Sequence, residues 1–291
     1  MHDAVFMTSF GSNIYETLGA LQSLDSDIRN TSIYNVMGSS SLIIFLKILG
    51  FTYSQMFDLL EKFELSHTFI NGYFLIPEDQ EIKKNHIRNW LLEKIEINNL
   101  INEDSTLEEI FKLTKIFPNF IVWSRKEAEF VSLNPKNFSN LTLVDCVLAT
   151  LPSIGTFTEH CIDDNVFSNY SSGDMYPYNL AFNLENKNLN TLFIVHQSRY
   201  FFHDLSNIES PFSLYENEII SQFIESNNNL TNKLKLENKL IIYNDIYKTS
   251  FNSSKRLFCF DNGKQQGLNF TLGDCNLTYY TSKKEEIKNQ K

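Results

Sequence analysis

VMGSSSLIIFLKILG, residues 36–50, sets one glycine and three serines between two apolar segments. The residues before them, SIYNVM (32–37), read as a short buried strand. Those after them, LIIFLKIL (42–49), read as a helix that is apolar on nearly every side, interrupted only by Lys47. A short helix with no polar face belongs at the centre of a domain, covered all round. Gly50 is placed to end it in a left-handed cap. The Gly-Ser-Ser-Ser turn is then either an ordinary polar turn or a place where one hydroxyl is held for chemistry.

Outward from this stretch, strand and helix patterns alternate. DAVFMTSF (3–10) reads as a first strand, and NIYETLGALQSL (13–24) as a helix with Ile14, Leu18 and Leu21 on one face. TYSQMFDLLEKF (52–63) and NHIRNWLLEKI (85–95) are helix candidates. So is STLEEIFKLTKI (105–116), with Ser105 or Thr106 as its N-cap and Glu108 and Glu109 in the first turn. NFIVWSR (119–125), EAEFVSL (127–133), LFIVHQ (192–197) and KLIIYNDIY (239–247) carry strand composition. LTLVDCVLATL (141–151) and LYENEIISQFIES (214–226) carry helical spacing, while RLFCFD (256–261) and NFTL (269–272) read as short strands. The Asn-rich 225–239 is the best hinge candidate. This alternation favours an α/β fold with a mostly parallel central sheet.

Composition narrows the chemistry by exclusion. The chain has 291 residues and a formal net charge of −10, with scattered lysines, so a nucleic-acid partner is not expected. Cys146, Cys161, Cys259 and Cys275 form no C-x-x-C pair, which predicts free thiols and no metal site. Neither dinucleotide nor P-loop glycine motifs occur, and no H-E-x-x-H. The longest apolar run, Leu42 to Leu49, is too short to span a bilayer, and no export signal is visible, so an intracellular, soluble protein is expected. His160 and His196 have no partner at a telling spacing, and SRYFFH (198–203) reads as core packing at a strand end.

Five collinear segments together carry a resemblance. They are SFGSNIYETLGAL (9–21), NVMGSSSLIIFLKILGFTYSQMFDLL (35–60), STLEEIFKLTKI (105–116), LVDCVLATLPSIGTF (143–157) and SSGDMYPYN (171–179). Their order resembles the patatin-like acyl hydrolases, strongest over residues 4–182. That resemblance implies a single patatin-like domain over 1–285, a three-layer α/β sandwich, with 183–285 divergent and 286–291 a tail. It implies a phospholipase A type hydrolase without a cofactor, acting on a lipid or acyl-ester substrate with peripheral membrane contact. The family pattern makes Ser40 the nucleophile and Asp174 its base, with Gly38, Ser39 and Ser41 forming the elbow. Gly11, Ser12 and Asn13 fall in the loop that lends backbone N–H groups to the oxyanion.

This sequence departs from the pattern around those residues. Leu42 stands at the second elbow glycine, where its side chain must find room against the strand or the oxyanion loop. In the first loop, Ser9-Phe10-Gly11-Ser12-Asn13-Ile14, only one glycine remains and Asn13 replaces the basic residue. Met175 follows Asp174 where glycine is expected. Losing one oxyanion donor costs on the order of 3 kcal/mol of transition-state stabilisation. The alternative is therefore a degraded patatin-like pseudoenzyme that binds a lipid or a protein partner. An active elbow predicts a sharp strand-to-helix turn with a strained serine backbone.

Overall fold

In the computed structural model, residues 2–9, 13–63, 77–152, 157, 159–168, 189–201, 238–246 and 253–272 are described. Asp174, Met175, Gly11, Ser12, Cys275, the 214–226 helix candidate and nearly all of the hinge candidate lie outside them.

The first strand, β1 (Ala4–Ser9), leads into α1 (Ile14–Ser23) and the short α2 (Asp25–Ile28). Strand β2 (Ile33–Gly38) feeds α3 (Ser40–Ile48), followed by α4 (Tyr53–Lys62), α5 (Pro77–Asn98) and α6 (Leu107–Thr114). Then come β3 (Phe117–Ser124), β4 (Glu129–Leu133), α7 (Leu143–Thr150), β5 (His160–Ile162) and β6 (Asn165–Ser168). The last described elements are β7 (Thr191–Phe201), β8 (Lys239–Ile246) and α8 (Ser253–Thr271).

One sheet takes in every described strand, in the order β5-β6-β3-β2-β1-β7-β8, with β4 also on β3. The five strands from β3 to β8 are parallel, and β4, β5 and β6 add antiparallel pairs on the β3 side. This is the mostly parallel α/β architecture expected from the alternation. From β1 the chain steps to β2 and β3 on one side, and later fills β7 and β8 on the other. The carboxyl end of β1 thus lies at the switch point where open α/β sheets hold their ligands.

Helix α3 is the buried centre anticipated from its composition. Ser40 through Leu46 and Ile48 are all buried. Each wholly buried Leu, Ile or Phe contributes about 1.5–3 kcal/mol relative to an exposed one. Leu42 finds its room in the main core cluster, together with the strand residues Val5, Met7 and Val36. The interrupting Lys47 sets its ammonium 5.5 Å from the ring centre of Tyr34 and 5.3 Å from that of Tyr53, so its charge is met by aromatic faces. At the helix end Gly50 has φ +79°; its N–H donates to Lys47 O and that of Phe51 to Leu46 O. This pair of bonds is a Schellman cap.

Of the two candidate caps for α6, Thr106 serves: its hydroxyl accepts from Glu109 N while Glu109 Oε2 accepts from Thr106 N. Thr106→Ala should lower stability by about 1 kcal/mol, read as a shift in the urea midpoint at unchanged slope.

On the sheet face opposite the main cluster, three asparagines form a buried ladder. Asn134 donates to Asn119 (3.2 Å), Asn119 to its register partner Asn35 (2.8 Å), and Asn35 to the carbonyl of Val5 (3.4 Å). Asn134 Oδ1 in turn accepts from the N–H groups of Lys136 and Asn137. Each carboxamide is satisfied by the next, which is what allows polar groups to stay inside.

The C-terminal region corrects the sequence reading. RLFCFD and NFTL are not strands: the first lies wholly within α8 and the second forms its end. Arg256, Cys259, Phe260, Gly263 and Gly267 are its buried positions, a helical spacing in which two of the inward residues are glycines. A Cβ on Gly263 would come within 2.0 Å of Glu16 O, and one on Gly19 within 1.9 Å of Phe260 O. The backbones of α1 and α8 therefore touch. Among the described residues no helix is long and apolar enough to cross a membrane.

Candidate functional site

The site is built where β2 turns into α3. Gly38 closes β2 with φ +68°, Ser39 follows at φ −64° and ψ −14°, and Ser40 opens the helix. The left-handed residue of the turn is therefore the glycine, which adopts it without a steric penalty. The strained serine anticipated for an elbow is absent, because no positive-φ residue other than glycine lies in this turn.

The serine side chains are committed to local bonds. Ser41 Oγ donates to Gly38 O at 2.8 Å, tying the first helical turn back to the strand end. Ser39 N–H donates to Ser9 O at 2.8 Å and clamps the elbow to the end of β1. Ser9 Oγ lies 2.8 Å from Ser40 Oγ and 2.9 Å from Ser39 Oγ, and all three serines are buried. Neither Ser39 nor Asn13 caps its helix with its side chain. Ser40 has 0 % exposure at the N-terminus of α3, where the helix dipole favours negative charge.

A second contact lies at Asn13, the described residue of the oxyanion-loop candidate. Asn13 stands at the start of α1, and its carbonyl accepts from Thr17 Oγ1 at 3.1 Å. Thr17 Oγ1 also meets His196 Nε2, on β7, at 2.7 Å. A threonine hydroxyl has one proton. That proton goes either to Asn13 O, with His196 donating from Nε2, or to Nε2 itself. Burial pushes the His196 pKa down to about 3. His196 has no partner at a telling spacing along the chain; β7 brings it one from α1.

The sign of its pH effect follows. An unfolded histidine binds a proton below about pH 6.5, whereas the folded His196 stays neutral down to about pH 3. Across that window the unfolded state holds more protons, so stability falls as pH falls. His196→Gln should flatten this part of the stability–pH curve, measured by urea unfolding between pH 7 and pH 4.

His160 also acquires a partner. Its Nε2 lies 3.3 Å from Asp145 Oδ1, and Arg88 approaches the same oxygen at 3.6 Å. Thr142 Oγ1 donates to Asp145 Oδ2 at 2.8 Å. The hydrogen bond from His160, then that from Thr142, hold the Asp145 carboxyl below its ordinary range against the opposing effect of burial. This cluster ties β5, α5 and α7 together. Among the described residues no group of three His, Cys, Asp or Glu side chains could hold a metal.

Solved structures share this architecture. VipD from Legionella pneumophila superposes with a TM-score of 0.60 over 94 % of this chain and 67 % of its own, at 14 % identity. The fold is similar to that of VipD. At this identity the likeness is one of architecture alone, and it agrees with the α/β fold expected from the sequence. The type III effector ExoU matches more loosely, with a TM-score of 0.46, 7 % identity and 94 % of this chain against 53 % of its own. ExoU of Pseudomonas aeruginosa in complex with SpcU gives 0.47 at 7 % identity, over 94 % of this chain and 53 % of ExoU. The chain thus spans about two thirds of VipD and half of ExoU. No protein-family model and no curated protein sequence matches it.

Proposed function

We propose that the chain is a patatin-like lipid acyl hydrolase of the phospholipase A type, with Ser40 as nucleophile and Asp174 as base. One observation carries the reading. Ser40 opens α3 at the carboxyl ends of adjacent parallel strands, beside the switch point of a patatin-like sheet. In the reaction, Ser40 Oγ bonds to the ester carbonyl carbon while its proton passes to the Asp174 carboxylate. The leaving alcohol takes that proton, and water then releases the fatty acid from Ser40. The N-terminus of α3 and the backbone of the Gly11–Asn13 loop oppose the charge that develops on the carbonyl oxygen.

A second reading is favoured by a specific observation: the Ser40 hydroxyl is fully buried, and the left-handed backbone belongs to Gly38 rather than to a serine. Under it the protein is a pseudoenzyme that uses the fold to bind a lipid or a protein. Reaction with a fluorophosphonate probe, together with hydrolysis of short- and long-chain esters, separates the two. Turnover by the wild type supports the hydrolase, and silence from folded wild type on all esters and on the probe supports the binding protein.

A further inference from the structure

We propose that Ser9 is a positioning residue that latches the Ser40 hydroxyl: while their hydrogen bond stands, Ser40 is held inside and attacks slowly. The proposal rests on the reading of Ser40 as the nucleophile. Ser9 ends β1 in register with Gly38, and its carbonyl is fixed to Ser39 N–H. The two strand ends cannot drift apart without losing that backbone bond. Alternation along β1 puts Ser9 on the same sheet face as Val5 and Met7, the face covered by α3. Its hydroxyl therefore points at the first residues of the helix.

Proton counting shows what the latch does. Ser9 Oγ faces two hydroxyls, Ser39 at 2.9 Å and Ser40 at 2.8 Å, yet has one proton to give. If Ser40 donates to Ser9, the proton that a base must remove is engaged elsewhere. If Ser9 donates to Ser40, a lone pair of the attacking oxygen is engaged. The first keeps that proton from the base and the second draws density from the oxygen, so in both the bond must open before Ser40 attacks.

The test is the rate of covalent labelling by a fluorophosphonate, in which Ser40 Oγ bonds to phosphorus and fluoride leaves. Labelled peptides are mapped by mass spectrometry in the wild type, Ser9→Ala, Ser9→Gly and Ser9→Thr, with melting curves on each. Loss of the hydroxyl should raise the labelling rate at Ser40 about fivefold, the factor given by one ordinary hydrogen bond. Ser9→Thr keeps the hydroxyl and should return the rate to that of the wild type. A merely structural role would move the melting curves and leave the rate per folded molecule unchanged. Two hydroxyl-free variants guard against one that does not fold. Equal or slower labelling in both, with the wild type labelled at Ser40, overturns the latch and leaves the nucleophile standing. No label at Ser40 in any folded variant overturns both.

Discussion

Ser40→Ala should abolish fluorophosphonate labelling and ester cleavage together, and Asp174→Asn should reduce turnover about 100-fold or more, the usual contribution of a general base. The two changes act at different steps of the same event. On the proposed mechanism, Ser40→Ala removes the atom that would bond to the acyl carbon, so no acyl-enzyme would form. Asp174→Asn keeps the shape of the side chain but cannot take the proton, and an unassisted hydroxyl is a weak nucleophile at neutral pH. Neither change should unfold the protein. Removing the Ser40 hydroxyl leaves the backbone clamp between Ser39 and Ser9 intact and frees Ser9 to bond with Ser39 alone. Ester hydrolysis and unfolding midpoints on the same preparations check this, with loss of activity at near-native stability as the expected pattern. Trimming Leu42 to relieve crowding is a poor complement, because that side chain fills the core and its loss would leave a cavity.

The largest effect on stability should come from filling the contact between α1 and α8. Gly263→Leu puts a side chain where even a Cβ would lie 2.0 Å from the Glu16 carbonyl. The obstacle is helix backbone, which cannot turn aside as a flexible side chain does, so α8 must move off α1. Overpacking costs typically 1–3 kcal/mol and sometimes more, and we expect about 3 kcal/mol or above here. Leu257→Ala, on the exposed side of the same helix, should be nearly neutral by comparison. Urea unfolding of the two variants reads the difference directly. Equal stability would show that α8 is not seated on α1 as described.

The parts of this fold that were legible in the sequence are those set by local pattern. The run 42–49 had no polar face, which left no place for it but the interior. Gly50 announced one helix end by its freedom to adopt a left-handed cap, and Ser105 or Thr106 ahead of Glu108 and Glu109 announced another. The parts that were not legible depend on register and distance. Ser9 meets Ser40 only because β1 pairs with β2 so that Ser9 faces Gly38. His196 meets Thr17, 179 positions away, because β7 lies beside β1 on the side away from β2. Asn35, Asn119 and Asn134 are ordinary letters in an Asn-rich chain until neighbouring strands align them. Helix α8 reads as strand because its aromatic residues carry strand propensity, while the glycines on its inner face have no side chain to register as apolar. The core thus follows from composition, and the candidate site follows from strand order.

The central claim is that Ser40 is a nucleophile, and site mapping of the fluorophosphonate adduct tests it most directly. Wild-type protein and Ser9→Ala are treated with the probe under native conditions, with Ser40→Ala as control, and the modified peptide is identified by mass spectrometry. The account predicts one adduct on Ser40, formed faster in Ser9→Ala and missing from Ser40→Ala. An unmodified Ser40 in both folded proteins that carry it would contradict the account.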